Sequence, residues 1–149
     1  MLSDFVQKAI FIFVFCIGAA AQAQSPVAIA LHGGAGTITR AKITAEQDAA
    51  YRLIMDEVVT FGYQRLNAGV SGNQVVVEVL QKLEDSPLFN AGVGAVMTWD
   101  GVHELDAAIM DGATRQAGAV AGVRHIRSPI EAAQKVMLHS PHVMLTGVG

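Results

Sequence analysis

Two short segments of this chain carry residue types that can act on a polar substrate. The first is His32-Gly33-Gly34-Ala35-Gly36, directly after the apolar run 27–31, VAIAL. Glycines after a strand let the backbone approach a ligand closely or aim N–H groups at an oxyanion, and the same residues also make a plain tight turn. The second is Asn90-Ala91-Gly92-Val93-Gly94. An amide side chain there can donate to a developing negative charge, or it can bridge its own turn. A regular strand over 104–110 would put Glu104 and Asp106 on one face with Ala108 and Met110. Two such carboxylates are either an acid/base pair or a hydrogen-bonded surface. His139 and His142 have ligand-like spacing, but Ser140 and Pro141 interrupt any helix between them and no acidic residue adjoins. Gly69-Val70-Ser71-Gly72-Asn73 falls short of a nucleophile elbow for want of its last glycine, and Ser71 is better explained as a helix cap. There is no phosphate-binding P-loop and no dinucleotide glycine fingerprint.

The elements that must position these residues follow from periodicity and capping. Residues 27–31 are uniformly apolar and read as a strand buried on both faces. Thr44 and Gln47 form a capping box, and Ala50, Ile54, Val58 and Phe61 repeat at helical spacing, so a long helix is expected to about Asn67, closed by Gly69. Ser71 with Gln74 opens a second helix as another capping box, with Val70 and Val75 as a hydrophobic staple. Val76, Val79, Leu80 and Leu83 form its buried stripe, and Pro87 ends it. Three β runs follow, 95–98, 103–110 and 116–123, with Asp100-Gly101 and Asp111-Gly112 in the gaps, which predicts an antiparallel meander. Ser128-Pro129-Ile130-Glu131 supplies an N-cap, a first-turn proline and a capping-box glutamate for a third helix to about Leu138, and 143–145 reads as a last strand. The order predicts one α+β layered domain rather than a doubly wound parallel sheet.

Composition narrows the function classes. The 149 residues carry a net charge of −3, 52% hydrophobic and 15% charged residues, which is the balance of a folded domain. No basic stripe is present to neutralise a phosphate backbone, so nucleic acid is not an expected partner. The single cysteine, Cys16, rules out a disulfide framework. Residues 1–23 read as a signal peptide, with Lys8 before the apolar run 9–20 and Ala21-Gln22-Ala23 as the cleavage site. That run is too short for a stable membrane span. Cleavage after Ala23 would remove Cys16 and leave residues 24–149 exported, periplasmic or secreted. The last residues, Thr146-Gly147-Val148-Gly149, fall inside an expected glycine loop, which reads as a precursor cut short.

In order, the segments are HGGAG after a strand, two helices, PLFNAGVGAV, an Asp-Gly turn, HELDAAIMDG, AGAVAGV, a proline-opened helix and HVMLTG. This series resembles the plant-type L-asparaginases, or isoaspartyl peptidases, of the N-terminal nucleophile hydrolases. The glycosylasparaginases of the same mechanism lack the HGGAG opening. The resemblance implies an αββα sandwich, of which residues 24–149 would be the N-terminal portion of the α-subunit region, an incomplete domain. It implies a precursor that cuts itself before a threonine, whose freed α-amino group then serves as base. That threonine would lie beyond Gly149, so no nucleophile is assigned within this chain, and the 149 residues alone are expected to be inactive. Asn90 matches the asparagine beside the catalytic threonine, and residues 32–36 match the glycine loop linked to processing. No cofactor is required, but a structural Na+ would be held by main-chain carbonyls of Leu83, Glu84, Ser86, Phe89, Ala91 and Val93. Implied substrates are L-asparagine or β-aspartyl dipeptides, and implied partners are the chain's own β subunit after autocleavage and a second αβ unit. Gln74, Ser128 and Val148 depart from the family's usual aspartate, asparagine and glutamate; Ser128 still caps a helix. Two other readings are a non-catalytic exported remnant, and an esterase with residues 32–36 as its oxyanion loop.

Overall fold

The computed structural model describes residues 26–35 and 42–147. The expected signal peptide, Gly36, Val148 and Gly149 lie outside them. Helix α1 spans Ala45–Asn67 behind a complete capping box: Thr44 Oγ1 accepts the Gln47 N–H at 3.2 Å, and Gln47 Oε1 accepts the Thr44 N–H at 3.0 Å. It ends where Gly69 turns left-handed at φ 83°. Helix α2 spans Gly72–Glu84. Ser71 caps it as expected, but the box is half made, because the Gln74 side chain turns to Glu78 instead of back to the cap.

The face of α2 also differs from expectation. Val75, Val79 and Leu83 pack with Val58 and Phe89 against α1, while Val77 packs on the opposite side with the sheet, and Val76 is exposed. A helix wedged between two cores buries two faces, so a single stripe misassigns the residue between them. Gly62 lets α1 and α2 meet closely, since a Cβ there would lie 2.5 Å from Ile29 Cδ1 and 2.9 Å from Val79 Cγ2.

The sheet has order β1-β2-β3, with β1 (Leu105–Met110) antiparallel to β2 (Ala117–Val123) and β2 parallel to β3 (Met144–Thr146). Helix α3, Pro129–His139, opens on Ser128 with proline in its first turn. Glu131 donates its N–H to Ser128 Oγ, but its carboxylate meets Lys135 and Gln81 rather than closing a capping box. Ile130, Ala133, Val136 and Met137 of α3 pack on Ile109, Val120 and Val123. Fully burying an aliphatic side chain such as Ile130 contributes about 1.5–3 kcal/mol.

Three β expectations need correction. Residues 27–31 form no strand: Val27, Ile29 and Leu31 are half-buried, with Ile29 and Leu31 packed on the cluster between α1 and α2, while Ala28 and Ala30 are exposed. No strand among the described residues pairs with them, and a ladder needs a neighbour. The run 95–98 contributes one bridge, Met97 to His103, so the meander reduces to a hairpin plus a turn. The Asp111 connection is a longer loop than a two-residue turn. Its carboxylate accepts N–H bonds from Ala113 and Thr114, and the positive φ falls on Arg115 at 64° rather than on Gly112. The Asp100-Gly101 turn is as expected, with Gly101 at φ 74°. Among the described residues no helix is long and apolar enough to cross a membrane.

Candidate functional site

The glycine loop and Asn90 converge. Both line one cleft of about 750 Å3, roofed by α1 through Tyr51, floored by Leu83 and Phe89, and walled by Asp106 to Ala108 of β1. Its opening segment is held by two unlike glycines. A Cβ on Gly33 would stand 3.2 Å from Phe89 Cε1 and 3.5 Å from Met55 Sδ, so this glycine permits close packing. Gly34 has open space around it but sits at φ 110°, which side chains avoid. The Gly34 N–H donates to His32 Nδ1 at 3.1 Å, which ties the ring back to its own loop.

Asn90 enters from a wound loop that follows α2. Its Oδ1 accepts the Val96 N–H at 2.9 Å, which fixes the amide and aims its NH2 away from that bond. Within the described residues that NH2 has no protein acceptor. The bridging use of this asparagine is therefore real, and it leaves a donor available. Below it Phe89 is buried, with its ring edge-on to Tyr51 at 5.7 Å between centroids and 76° between planes.

The loop owes its shape to Gly92 and Gly94. At Gly92, φ 50°, a Cβ would lie 2.1 Å from the Glu84 carbonyl oxygen; at Gly94 it would lie 2.2 Å from that of Phe89. Of the six positions expected to offer carbonyls to a cation, Leu83 and Glu84 end α2, and Ser86, Phe89, Ala91 and Val93 lie in the loop that follows. The Leu83 carbonyl accepts backbone N–H groups from Asp85 and Ser86, the Phe89 carbonyl from Ala91 and the Ala91 carbonyl from Gly94. Among the described residues no group of three His, Cys, Asp or Glu side chains could hold a metal, His139 and His142 included.

Glu104 and Asp106 do not act as a pair. Alternation holds through 104–110, with Glu104, Asp106, Ala108 and Met110 on the exposed side as expected, because the extra residue of the register shift lies on β2, where Gly122 takes φ 63°. Asp106 Oδ1 accepts the Gly122 N–H at 2.8 Å, and Glu104 pairs with Arg124. Asp106 reaches the cleft; Glu104 is not among the residues lining it.

Two cleft residues escaped the sequence reading. Tyr51 lies one position off the assumed stripe of α1, on the face it shares with Met55. Glu84 was expected to contribute only its carbonyl, yet its side chain is 7% exposed, with Oε2 accepting from Ser128 Oγ at 2.7 Å and Oε1 from the Ile130 N–H at 2.9 Å. The available signal was a carboxylate at the C-terminal end of a helix, where the dipole disfavours it. Burial pushes the Glu84 carboxyl above its ordinary value, and the bonds from Ser128 and Ile130 offset part of that rise. Stability from this group is therefore fully present below pH 4.5 and is lost as pH rises through the folded value. The melting temperature of the native chain should fall relative to Glu84→Gln as pH is raised from 4 to 7. A constant difference across that range would contradict this.

Comparison with known proteins agrees with the ordered segments. A family model described as asparaginase matches residues 25–149. The chain is 54% identical over 121 residues to the isoaspartyl peptidase of Salmonella typhimurium and 53% identical over 121 residues to that of Escherichia coli. It is 46% identical over 125 residues to the plant-type L-asparaginase of Pyrococcus horikoshii. These alignments cover 81%, 81% and 83% of this chain and 39%, 38% and 39% of the relatives, so the chain spans about two fifths of their length. The match runs through both glycine segments and the whole of the described fold, and the chain belongs to the asparaginase family.

Proposed function

We propose that this chain supplies one wall of the active site of an amidohydrolase that acts on L-asparagine, on β-aspartyl dipeptides, or on both. The carrying observation is that residues 32–35 and Asn90, far apart in sequence, line one cleft in a chain more than half identical to isoaspartyl peptidases. The nucleophile in this reading is a threonine outside the chain, freed by autocleavage. Its Oγ attacks the side-chain carbonyl, ammonia or the amine of the dipeptide leaves, and water releases aspartate from the acyl-enzyme. Asn90, its Oδ1 held by Val96, presents its NH2 beside that threonine. Residues 32–36 serve the processing step, and the described part of that segment is fixed through the Gly34 to His32 bond.

The carbonyls of Leu83, Glu84, Ser86, Phe89, Ala91 and Val93 would hold a Na+ that braces the Asn90 loop and takes no part in the chemistry. The partner implied by the reading is the chain's own β subunit in a sandwich of αββα type, assembled further as a dimer of αβ units. Export follows from residues 1–23, so the mature chain would begin at Gln24. The family match gives no support to the esterase reading.

Residues 26–149, spliced in place of the matching residues of the Escherichia coli isoaspartyl peptidase, are expected to support release of aspartate from a β-aspartyl dipeptide. The 149-residue chain alone should release no ammonia from asparagine above a mock preparation. Ammonia release by the chain alone would overturn the assignment of the nucleophile to residues outside it.

A further inference from the structure

Glu84 is held from two directions. Its side chain, buried at the end of α2, accepts hydrogen bonds from Ser128 Oγ and the Ile130 N–H in the first turn of α3. Its main chain lies under the loop that carries Asn90, where only a glycine at 92 lets the backbone pass the Glu84 carbonyl. One residue thereby joins α3, which rests on the sheet, to the loop that walls the cleft. The nearby charges are already paired with one another: Arg127 with Asp85 at 3.3 Å, and Lys135 with Glu131 at 2.7 Å. Among the described residues no cation neutralises Glu84, so its hydrogen bonds to α3, at the positive end of that helix, are what compensate a buried carboxylate.

The loop has few other ties to the sheet. Ser86 Oγ accepts the Leu88 N–H, Ala91 donates to Phe89, and Gly94 donates to Ala91, all within the loop itself. Asn90 reaches forward only to Val96.

We propose that Glu84 is a positioning residue for the Asn90 cleft, its carboxylate clamping the start of α3 so that the loop over residues 85–94 holds Asn90 in one orientation. The importance of that orientation rests on the proposed role of Asn90 in hydrolysis, whereas the clamp itself is tested by loop geometry without any assay of hydrolysis.

The experiment is amide hydrogen exchange on the full 149-residue chain, read at the Val96 N–H that Asn90 accepts. Glu84→Ala, Glu84→Gln and Ser128→Ala are compared with Val136→Ala, which removes a buried side chain from the α3 and sheet cluster without touching the clamp. Glu84→Ala should raise Val96 exchange by about tenfold more than Val136→Ala at equal loss of melting temperature. Glu84→Gln keeps an acceptor for Ile130 and can donate to Ser128, so it should restore the rate to within about threefold of native. Ser128→Ala removes one of the two bonds and should fall between them, which decides the matter if Glu84→Ala does not fold. The proposal is overturned if Val96 exchange in Glu84→Ala, or in Ser128→Ala where Glu84→Ala is insoluble, only tracks the loss of melting temperature seen with Val136→Ala. It is equally overturned if Glu84→Gln exchanges as fast as Glu84→Ala.

Discussion

Gly92→Ala is expected to dismantle the Asn90 loop. Two penalties coincide at this position. An L residue at φ 50° costs about 1–2 kcal/mol, and the new methyl would stand 2.1 Å from the Glu84 carbonyl oxygen and 2.6 Å from its carbon. Neither obstacle is the end of a flexible side chain, so the loop must move bodily. The expected loss is about 3 kcal/mol or more, corresponding to a melting temperature lower by about 10 °C. Hydrogen exchange at Val96 should rise with it, since the bond to Asn90 depends on the same turn. Thermal unfolding followed by circular dichroism checks the first part, and a melting temperature within a degree or two of native would refute it.

Gly118→Ala should be as damaging for a different reason. Gly118 sits inside β2 with no positive φ, so its conformation is open to any residue. What forbids the methyl is α3: it would lie 2.2 Å from the Ala133 carbonyl oxygen and 2.4 Å from the Met137 nitrogen. Helix and strand backbones touch here, and the whole sheet cluster is packed around that contact. Overpacking of this kind costs about 1–3 kcal/mol where side chains can yield, and more where only backbone faces the intruder. Loss of soluble, cooperatively melting protein is the expected result. Gly72→Ala is the matching control, because nothing lies within 4 Å of the added methyl and the residue is helical. Its stability should be unchanged or raised by up to about 1 kcal/mol. Equal effects of the two substitutions would contradict the packing argument.

The helices were legible because their signals are local. Thr44, Ser71 and Ser128 each cap the helix expected of them, and Gly69 and Gly101 take the positive φ that their turns demand. The β elements were less legible because a strand is made by its neighbour. The run VAIAL has strand composition, yet it lies over two helices without a ladder partner, whereas the carboxylates of 104–110 share the face expected of them but are tied to separate partners, Arg124 and the Gly122 N–H. Asn90 and the glycine loop stood out by residue type, although the same residues also make plain turns. Their convergence on one cleft could not be read, because it depends on how α1 and α2 pack around Gly62 and on how Phe89 fills the floor. The Glu84 carboxylate was hidden for a related reason: the partners that make its burial tolerable lie 44 and 46 residues further along the chain.

The central claim is that the cleft carrying Asn90 belongs to a threonine-dependent amidohydrolase. It is tested most directly by the steady-state rate of β-aspartyl dipeptide hydrolysis of residues 26–149 spliced into the Escherichia coli isoaspartyl peptidase, with and without Asn90→Ala. The spliced enzyme should cleave itself and turn over within about tenfold of its parent, and Asn90→Ala should lower the rate by about a hundredfold or more, the scale of losing a donor at a developing charge. A soluble, cooperatively melting splice with no hydrolysis, or an Asn90→Ala variant as active as the unsubstituted splice, would contradict the account.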